Sequence, residues 1–206
     1  QTNKLIEPHG FLLVDAGSHY RYGTTDATRA IACGPLTKEQ QTVYTLVLKG
    51  MIAVATCRFT ASTPSNQIDA LAREALRQHG LDYGHGTGHG VGLVLNVHED
   101  GARLSPKWVK PLQEGMVLSD EPGCYLAGQF GVRIENMLAV KAGEAGGLYF
   151  QTLTHIPLQC SAIDKSLLTQ NELVWINCYH KKVLAICKPH LTEIEFNWLK
   201  TYAYEL

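Results

Sequence analysis

The chain has 206 residues, a formal net charge of −1 at pH 7, 45% hydrophobic residues and 18% charged residues. This composition is typical of a globular protein, and the length predicts one domain or one domain with an appendage. Lysine and arginine are scattered along the chain, so we predict no nucleic-acid partner. No apolar run approaches the length of a bilayer span, and the first ten residues lack the order of a signal peptide. We therefore predict no membrane partner and a soluble, cytoplasmic protein.

Strand patterns occur in two parts of the chain. Residues 10–33 alternate apolar and polar side chains around a turn at Tyr22-Gly23, which predicts two strands joined by a short connection. Two further strands are expected at about 115–120 and 131–141, where β-branched and apolar residues are separated by glycine turns.

Helix patterns surround these strands. Capping boxes begin at Thr37, Thr169 and Thr192, each with a Gln or Glu three residues later and an apolar run behind it. A fourth helix is predicted over residues 65–79, where apolar residues recur at helical spacing. Pro189 separates the last two helices.

The order of these elements does not alternate strictly between strand and helix. It favours an α+β fold, with helices on one side of a sheet, over a doubly wound fold. The residue pattern becomes helical from the capping box at Thr169 onward. We therefore predict a main domain over residues 1–168 and a helical tail over 169–206. Five residues of the tail form an apolar helical face that by default packs on the main domain: Trp175, Ile176, Tyr179, Val183 and Leu184.

The six cysteines lie far apart, with no Cys-x-x-Cys pair and no dense framework. We interpret them as reduced thiols. Because zinc-finger spacing is absent, any metal site must be built from carboxylates and imidazoles.

Acidic residues and histidines occur where the surrounding pattern is apolar. A buried carboxylate must take up a proton, pair with a cation or bind a metal. Arg29 and Arg133 are the local candidates for pairing, but two arginines do not comfortably offset all these acids. The candidate ligands of a dinuclear metal site are Asp15, Asp26, His89, Glu121 and Glu135.

Each candidate also has a plainer role when taken alone. The aspartates are common in turns, Glu121 precedes a Pro-Gly turn, Glu135 has Arg133 as a local ion-pair partner, and a loop histidine often bonds to backbone. Three histidines in the glycine-rich stretch "YGHGTGHGVGLVLNVHE", residues 83–99, are not the pattern of a packed core. Taken together, the five candidate ligands and the glycine-rich stretch favour a metal site.

Five segments in order carry a resemblance to a known family: "LLVDAGSHY", "GTTDATR", "HGTGHGVGLVLNVHE", "SDEPGCY" and "GVRIEN". Together they resemble the motif set of the pita-bread metallopeptidases, specifically the Xaa-Pro aminopeptidase branch. The resemblance implies an α+β pita-bread fold, with a mixed, largely antiparallel sheet, helices on its outer side and further C-terminal helices. It also implies removal of the N-terminal residue from peptides with proline in second position.

The same resemblance assigns roles to residues. Asp26 and Glu135 would bridge two divalent metals, usually manganese, with cobalt, zinc or iron as alternatives. Asp15 would complete one site, and His89 with Glu121 the other. A water or hydroxide shared by the metals would attack the peptide. His85 and His98 would bind the substrate and stabilise charge on its carbonyl oxygen, and Arg133 would orient the carboxylates.

The chain also departs from the family pattern. Only fourteen residues precede Asp15, so the first half of the fold and one further active-site histidine are expected to be incomplete, and His9 is assigned no catalytic role. "VHEDG" stands where "VHEGP" is more usual, and Cys124 replaces an aromatic residue close to the expected metals. The missing part puts the activity of this polypeptide alone in question.

Three other interpretations stay open. Prolidase, which cleaves Xaa-Pro dipeptides, is the nearest enzymatic alternative. An inactive pita-bread module that binds a peptide or protein is a second, although such modules typically lose metal ligands and none of the five is lost here. A homodimer contact through the C-terminal region is a third.

Overall fold

The computed structural model describes residues 3, 5–93 and 96–206. Val94 and Leu95, within the glycine-rich stretch, lie outside the described residues, as do Gln1, Thr2 and Lys4. The α+β class predicted from the sequence is confirmed.

The chain begins with the expected hairpin. β1 (Phe11–Tyr20) pairs antiparallel with β2 (Gly23–Ala32), and the turn falls where the sequence places it. In this register Asp15 lies opposite Thr28, and Gly17 lies opposite Asp26. Because directly opposed residues share a face of a hairpin and side chains alternate along a strand, Asp15, Asp26 and Thr28 project from the same face.

A six-stranded antiparallel sheet forms the centre of the molecule. The strands of the rest of the chain are β3 (Arg58–Thr60), β4 (Gly88–Gly90), β5 (Glu99–Leu104), β6 (Val117–Asp120), β7 (Gly123–Leu126), β8 (Phe130–Arg133), β9 (Asn136–Ala142) and β10 (Gly147–Thr152). The order across the large sheet is β3-β10-β9-β6-β4-β5, while β7 and β8 form a separate hairpin. All the strand pairs of the described residues are antiparallel.

The expected single strand over 131–141 is wrong, because β8 and β9 belong to different sheets. Between them the main chain bonds elsewhere: the Ile134 amide donates to Pro122 O at 3.3 Å, and the Glu135 amide donates to Thr28 O at 3.0 Å. These bonds interrupt the ladder and join the hairpin of β1 and β2 to the large sheet. Glu135 therefore sits at the junction of the sheets.

The four predicted helices are present. They are α1 (Lys38–Thr56), α2 (Ser65–Arg77), α3 (Gln170–Cys187) and α4 (Glu193–Lys200). The capping boxes at Thr37, Thr169 and Thr192 all form, with each threonine side chain accepting a bond from the amide three residues later. Such caps satisfy otherwise unpaired amides of the first turn.

The longest helix, α1, is buried along most of its length and contributes to two apolar clusters. Residues such as Leu46 and Met51 lie in one cluster with the C-terminal helices, while Val54 lies in the other with the large sheet. Each fully buried aliphatic side chain stabilises the fold by roughly 1.5–3 kcal/mol. α1 thus fixes the two parts of the fold against each other.

One face of α3 is buried against the rest of the chain. Ile176 and Val183 are fully buried, Tyr179 is nearly so, and Trp175 and Leu184 pack partly buried beside them. No helix within the described ranges is long and apolar enough to cross a membrane.

Candidate metal centre

The first predicted ligands come from the hairpin of β1 and β2. Asp15 is half-exposed and accepts a bond from Arg133 Nη2 at 2.6 Å, whereas Asp26 is buried. Thr28 donates to Glu135 Oε2 at 2.6 Å and is itself fully buried. Thr28 was not singled out in the sequence, although its position two residues after Asp26 places it on the same face of the strand.

The glycine-rich segment has a steric reason for its lack of side chains. It is not only a loop, because Gly88, His89 and Gly90 form β4, inside the large sheet. A Cβ at Gly88 would lie 2.0 Å from Ser119 O, and one at Gly90 would lie 2.5 Å from Glu99 O. Only glycine lets the neighbouring strands approach so closely on both sides of His89.

His89 has one ring nitrogen committed and one available. Its Nδ1 lies 2.9 Å from Gly90 O, so Nδ1 carries the proton and Nε2 presents a lone pair. Nε2 faces Asp26 Oδ2 at 3.4 Å and Glu121 Oε1 at 3.3 Å. Burial by itself lowers the pKa of His89, but the contact with Asp26, the Gly90 carbonyl and the charge of Glu121 outweigh it and raise the pKa.

Glu121 follows the end of β6 and is held by its neighbours. Its amide donates to Thr87 O at 2.7 Å, and its Oε1 accepts from Ser119 Oγ at 3.1 Å. The same hydroxyl oxygen accepts from the His89 amide at 3.0 Å. Ser119 therefore orients two candidate ligands, and only its position two residues before Glu121 could have indicated it. Burial raises the pKa of Glu121.

Glu135 is the most buried of the five candidates, at 1% exposure. Its Oε1 has no hydrogen-bond partner among the described residues. Burial and the charge of Glu121 raise the pKa of Glu135 to about 8. A buried carboxylate oxygen without a donor is expensive unless a proton or metal ion binds it.

The five candidates converge into overlapping groups of three. Within each group the donor atoms lie within 4.8 Å of one another: one group is Asp15, Asp26 and Glu135, and another is His89, Glu121 and Glu135. Glu135 is common to both. The carboxylate oxygens and the free Nε2 are all acceptors facing one another, so protons or cations must lie between them. The residues therefore fit two divalent ions that share Glu135.

His98 lies beside two of the predicted metal ligands, Asp26 and His89. It joins Asp26 and His89 in a third group with ligand spacing, and its ring centroid lies 3.8 Å from that of His89. Burial and the neighbouring charge of His89 lower the pKa of His98. The geometry thus permits both the predicted substrate contact and direct ligation.

A chain of hydrogen bonds links Asp15 to His85. Arg133 donates to Asp15 as above and through Nη1 to Tyr125 Oη at 2.9 Å. His85 Nδ1 donates to Gly86 O at 2.7 Å, so its Nε2, 2.9 Å from Tyr125 Oη, accepts from that hydroxyl. Arg133 therefore contacts a candidate ligand and Tyr125 at the same time. Tyr125 was missed, because nothing in the local sequence links it to His85.

Arg29 does not pair with the acidic cluster, so that expectation is wrong. Its guanidinium donates to main-chain oxygens instead, including Glu135 O at 2.6 Å, Ile156 O at 2.8 Å and Pro157 O at 3.0 Å. A further bond reaches Tyr179 Oη at 3.1 Å. Arg29 satisfies buried carbonyls and ties β2 to α3, and its flat fork of five donors suits that task.

Asp120 and Cys124 are two further residues to which the sequence motifs assign no role. Asp120 is fully buried, and both of its carboxylate oxygens lack a partner among the described residues. Burial, with the charges of Glu135 and Glu121, raises the pKa of Asp120 well above its ordinary value. Cys124 is buried in the core and belongs to none of the ligand groups of the described residues. All six cysteines are free, as predicted.

The candidate ligands open onto a cleft of about 590 Å³. Asp15, His85, His89, His98, Glu121 and Arg133 all line it, together with Arg103 and Ser105. Most of the residues that line it carry polar or charged side chains. Oxygen-rich ligation with one or two imidazoles suits manganese, cobalt, iron or zinc. Asp26 and Glu135 are the two predicted residues that do not line the cleft. Both are buried, and both belong to the ligand groups described above.

Comparison with known proteins identifies the family of the chain. Residues 1–142 match metallopeptidase family M24, and residues 146–206 match the C-terminal region of peptidase M24. Aminopeptidase P1 from Lotus japonicus is 42% identical over 210 residues, which cover 97% of this chain and 32% of the relative. A probable Xaa-Pro aminopeptidase P from Paracoccidioides brasiliensis is 44% identical over 95% of this chain and 34% of the relative.

Solved structures give the same relationship. X-prolyl aminopeptidase from Caenorhabditis elegans, described as a cytosolic enzyme with a di-nuclear active site, superimposes with a TM-score of 0.89 and 39% identity. The match covers 94% of this chain and 33% of that one. Prolidase from Pyrococcus horikoshii has a TM-score of 0.66 and 29% identity over 73% of this chain and 42% of its own. The chain thus spans about a third of the length of its aminopeptidase relatives. The chain belongs to metallopeptidase family M24 and has the pita-bread fold.

Proposed function

We propose that this chain supplies the dinuclear centre of an Xaa-Pro aminopeptidase, a hydrolase that removes the N-terminal residue of a peptide whose second residue is proline. The observation that carries the proposal is the sharing of Glu135 by two ligand groups. A carboxylate has two oxygens, so one that is shared by two ligand groups can hold an ion in each of them. The relatives named aminopeptidase P supply the substrate class.

In this proposal Asp26 and Glu135 would hold both of two ions, Asp15 would help to hold one of them, and His89 and Glu121 would help to hold the other. The approach of Asp26 to His89 Nε2, at 3.4 Å, supports its reach toward the second group. Manganese is the proposed native metal, because four of the five ligands are carboxylates and hard oxygen ligands suit it. Cobalt, zinc and iron are the alternatives.

When bound, the ions would polarise the scissile carbonyl and lower the pKa of a water molecule. The surrounding side chains have separate tasks. His85, whose position is fixed by Tyr125 and Gly86, would contact the substrate, and His98 would stabilise charge on the carbonyl oxygen. Arg133 would keep Asp15 oriented toward the metals.

Parallel assays of the full-length protein with manganese test this function. Xaa-Pro-Xaa tripeptides should be cleaved, Xaa-Ala-Xaa tripeptides should be poor substrates, and Glu135→Gln should abolish turnover. Preferential cleavage of Xaa-Pro dipeptides would favour prolidase instead. Binding of proline peptides without hydrolysis of either substrate would favour an inactive binding module.

We further propose a main domain over residues 1–168, a helical tail over 169–206 and a homodimer contact through the tail. The inward face of α3 is already buried, so a second copy would have to contact outward residues such as Val174 and Ile186 on α3, or Ile194 and Trp198 on α4. Sizing chromatography of Trp198→Glu and Ile194→Glu would test this contact. A cytoplasmic location is proposed by analogy with the nematode relative.

A further inference from the structure

Arg73 on α2 is among the largest fully buried side chains of the described residues, with 1% exposure. It belongs to none of the ligand groups and does not line the cleft. Asp69, one helical turn earlier, receives two bonds from it: Nε donates to Oδ2 at 2.8 Å and Nη2 to Oδ1 at 3.1 Å. This paired contact neutralises the buried charge and fixes the plane of the guanidinium.

The remaining donors of Arg73 reach the segment that leads to the metal centre. Nη1 donates to Asp82 Oδ1 at 2.8 Å and to Tyr83 O at 2.7 Å, while Nη2 donates to His85 O at 2.7 Å. The guanidinium carbon also lies 3.9 Å from the centre of the Tyr83 ring. All five N–H groups are used, which a lysine with a single ammonium cannot reproduce.

Asp69 extends the same network to a candidate metal ligand. Its Oδ1 accepts from Thr87 Oγ1 at 2.6 Å, and Tyr83 Oη lies 2.6 Å from that threonine hydroxyl. The main-chain oxygen of Thr87 in turn accepts the Glu121 amide at 2.7 Å. Two side chains of α2 therefore hold the main chain behind both His85 and Glu121.

Between Tyr83 and Thr87 the segment has glycine at 84 and 86 and therefore few side chains with which to pack. A Cβ at Gly84 would touch nothing within 4 Å, whereas one at Gly86 would lie 2.9 Å from Leu104 O. Glycine leaves the main chain free to adopt many conformations. The position of this segment therefore depends on hydrogen bonds from residues outside it.

We propose that Arg73 is a positioning residue, which sets the main chain of residues 82–87 and through it the placement of His85 and Glu121. This inference rests on the proposed function only in taking His85 and Glu121 as residues of the site. The alternative is that Arg73 only stabilises the core. If Arg73 is a positioning residue, a folded variant is disturbed only near residues 82–87 and Glu121. If Arg73 only stabilises the core, a folded variant is disturbed throughout.

Hydrogen exchange of backbone amides separates these alternatives without any substrate. Arg73→Lys keeps the charge but loses the fork, and Thr87→Val breaks the bond to Asp69 with little change of shape, so one of them should fold even where the other does not. Arg77→Ala is the control, because half-exposed Arg77 contacts the same Asp82 but none of the main-chain oxygens. Manganese affinity is measured on the same samples.

In Arg73→Lys and Thr87→Val, the Glu121 amide should exchange at least about 10-fold faster while the amides of α1 keep their rates. Manganese affinity should fall roughly 10- to 100-fold, as for other residues that orient metal ligands. Arg77→Ala should change neither. Acceleration of the Glu121 and α1 amides by one common factor would overturn the proposal, as would unchanged exchange at Glu121 in either folded variant. Failure to cleave Xaa-Pro peptides would affect the proposed function and leave these readouts intact.

Discussion

Thr28 Oγ1 donates a hydrogen bond of 2.6 Å to Glu135 Oε2, joining the β1–β2 hairpin to the carboxylate that both ligand groups share. The same hydroxyl oxygen accepts from Arg133 Nε at 3.2 Å. One buried hydroxyl thus orients the central carboxylate and the arginine that holds Asp15. The other carboxylate oxygen, Glu135 Oε1, has no hydrogen-bond partner among the described residues.

Replacing Thr28 by valine keeps the shape of the side chain and removes this donor. We expect manganese affinity to fall roughly 10- to 100-fold, because the bridging carboxylate loses its orientation. Calorimetric titration of manganese measures the effect. Thr24→Val, at a buried threonine of the same strand that contacts His19 instead, serves as the control. Equal affinities in the two variants would show that Thr28 does not orient the centre.

Two histidines of the glycine-rich segment, His89 and His98, should differ on substitution. His89→Ala should lose metal occupancy, because His89 supplies the free Nε2 between two carboxylates. His98→Ala should retain both ions and lower turnover, on the order of 10²-fold for a group that stabilises transition-state charge. Elemental analysis alongside peptide hydrolysis distinguishes the two. Equal metal loss in both variants would assign His98 as a ligand, which its grouping with Asp26 and His89 also permits.

Glu135 should make the metal-free chain less stable as pH rises. Folding raises its pKa from 4.5 to about 8, so between these values the folded chain binds more protons than the unfolded chain. Its contribution is therefore full below pH 4.5 and is lost progressively up to about pH 8. The Glu135→Gln variant should not show this loss in the free energy of unfolding, which amounts to roughly a few kcal/mol in the wild type.

Urea unfolding of the metal-free protein at several pH values measures this difference. Glu144→Gln, at an exposed carboxylate, should behave as wild type. A wild-type stability that rises relative to Glu135→Gln between pH 5 and 8 would have the wrong sign for a buried, proton-binding Glu135.

Gly88 should not tolerate a side chain. In Gly88→Ala the new Cβ would lie 2.0 Å from Ser119 O, so β4 must move away from β6 and carry His89 with it. We expect a loss of about 1–3 kcal/mol of stability and weaker metal binding. Thermal unfolding and manganese titration test both effects. Gly84→Ala, where nothing lies within 4 Å of the new Cβ, should leave them unchanged.

Local sequence signals predicted the parts of the fold that depend on neighbouring residues. The hairpin over residues 10–33 and the capped helices follow from alternation and from threonine spacing, and all of them form. The short strands β3, β4, β5, β7 and β10 were not predicted, because three to six residues carry too little pattern. The break at Glu135 was missed for a different reason: it is caused by bonds to Thr28 and Pro122, which are distant in sequence.

The site could be predicted to the level of its motif residues. The acids in apolar surroundings and the glycine frame pointed to Asp26, His89 and Glu135, which the fold brings together. Charge alone misled for Arg29, because sequence shows that a cation is near but not that carbonyl oxygens surround it. Tyr125 required the three-dimensional structure, since its partners His85 and Arg133 meet only after β7 and β8 pair.

The dinuclear centre is tested most directly by the number of manganese ions bound per chain in wild type, Asp15→Ala and Glu135→Ala. Two ions are expected in the wild type, one in Asp15→Ala and none held tightly in Glu135→Ala, because Glu135 belongs to both ligand groups and Asp15 to one. A single ion in wild-type protein, or two ions retained by folded Glu135→Ala, would contradict a centre in which two metals share that carboxylate.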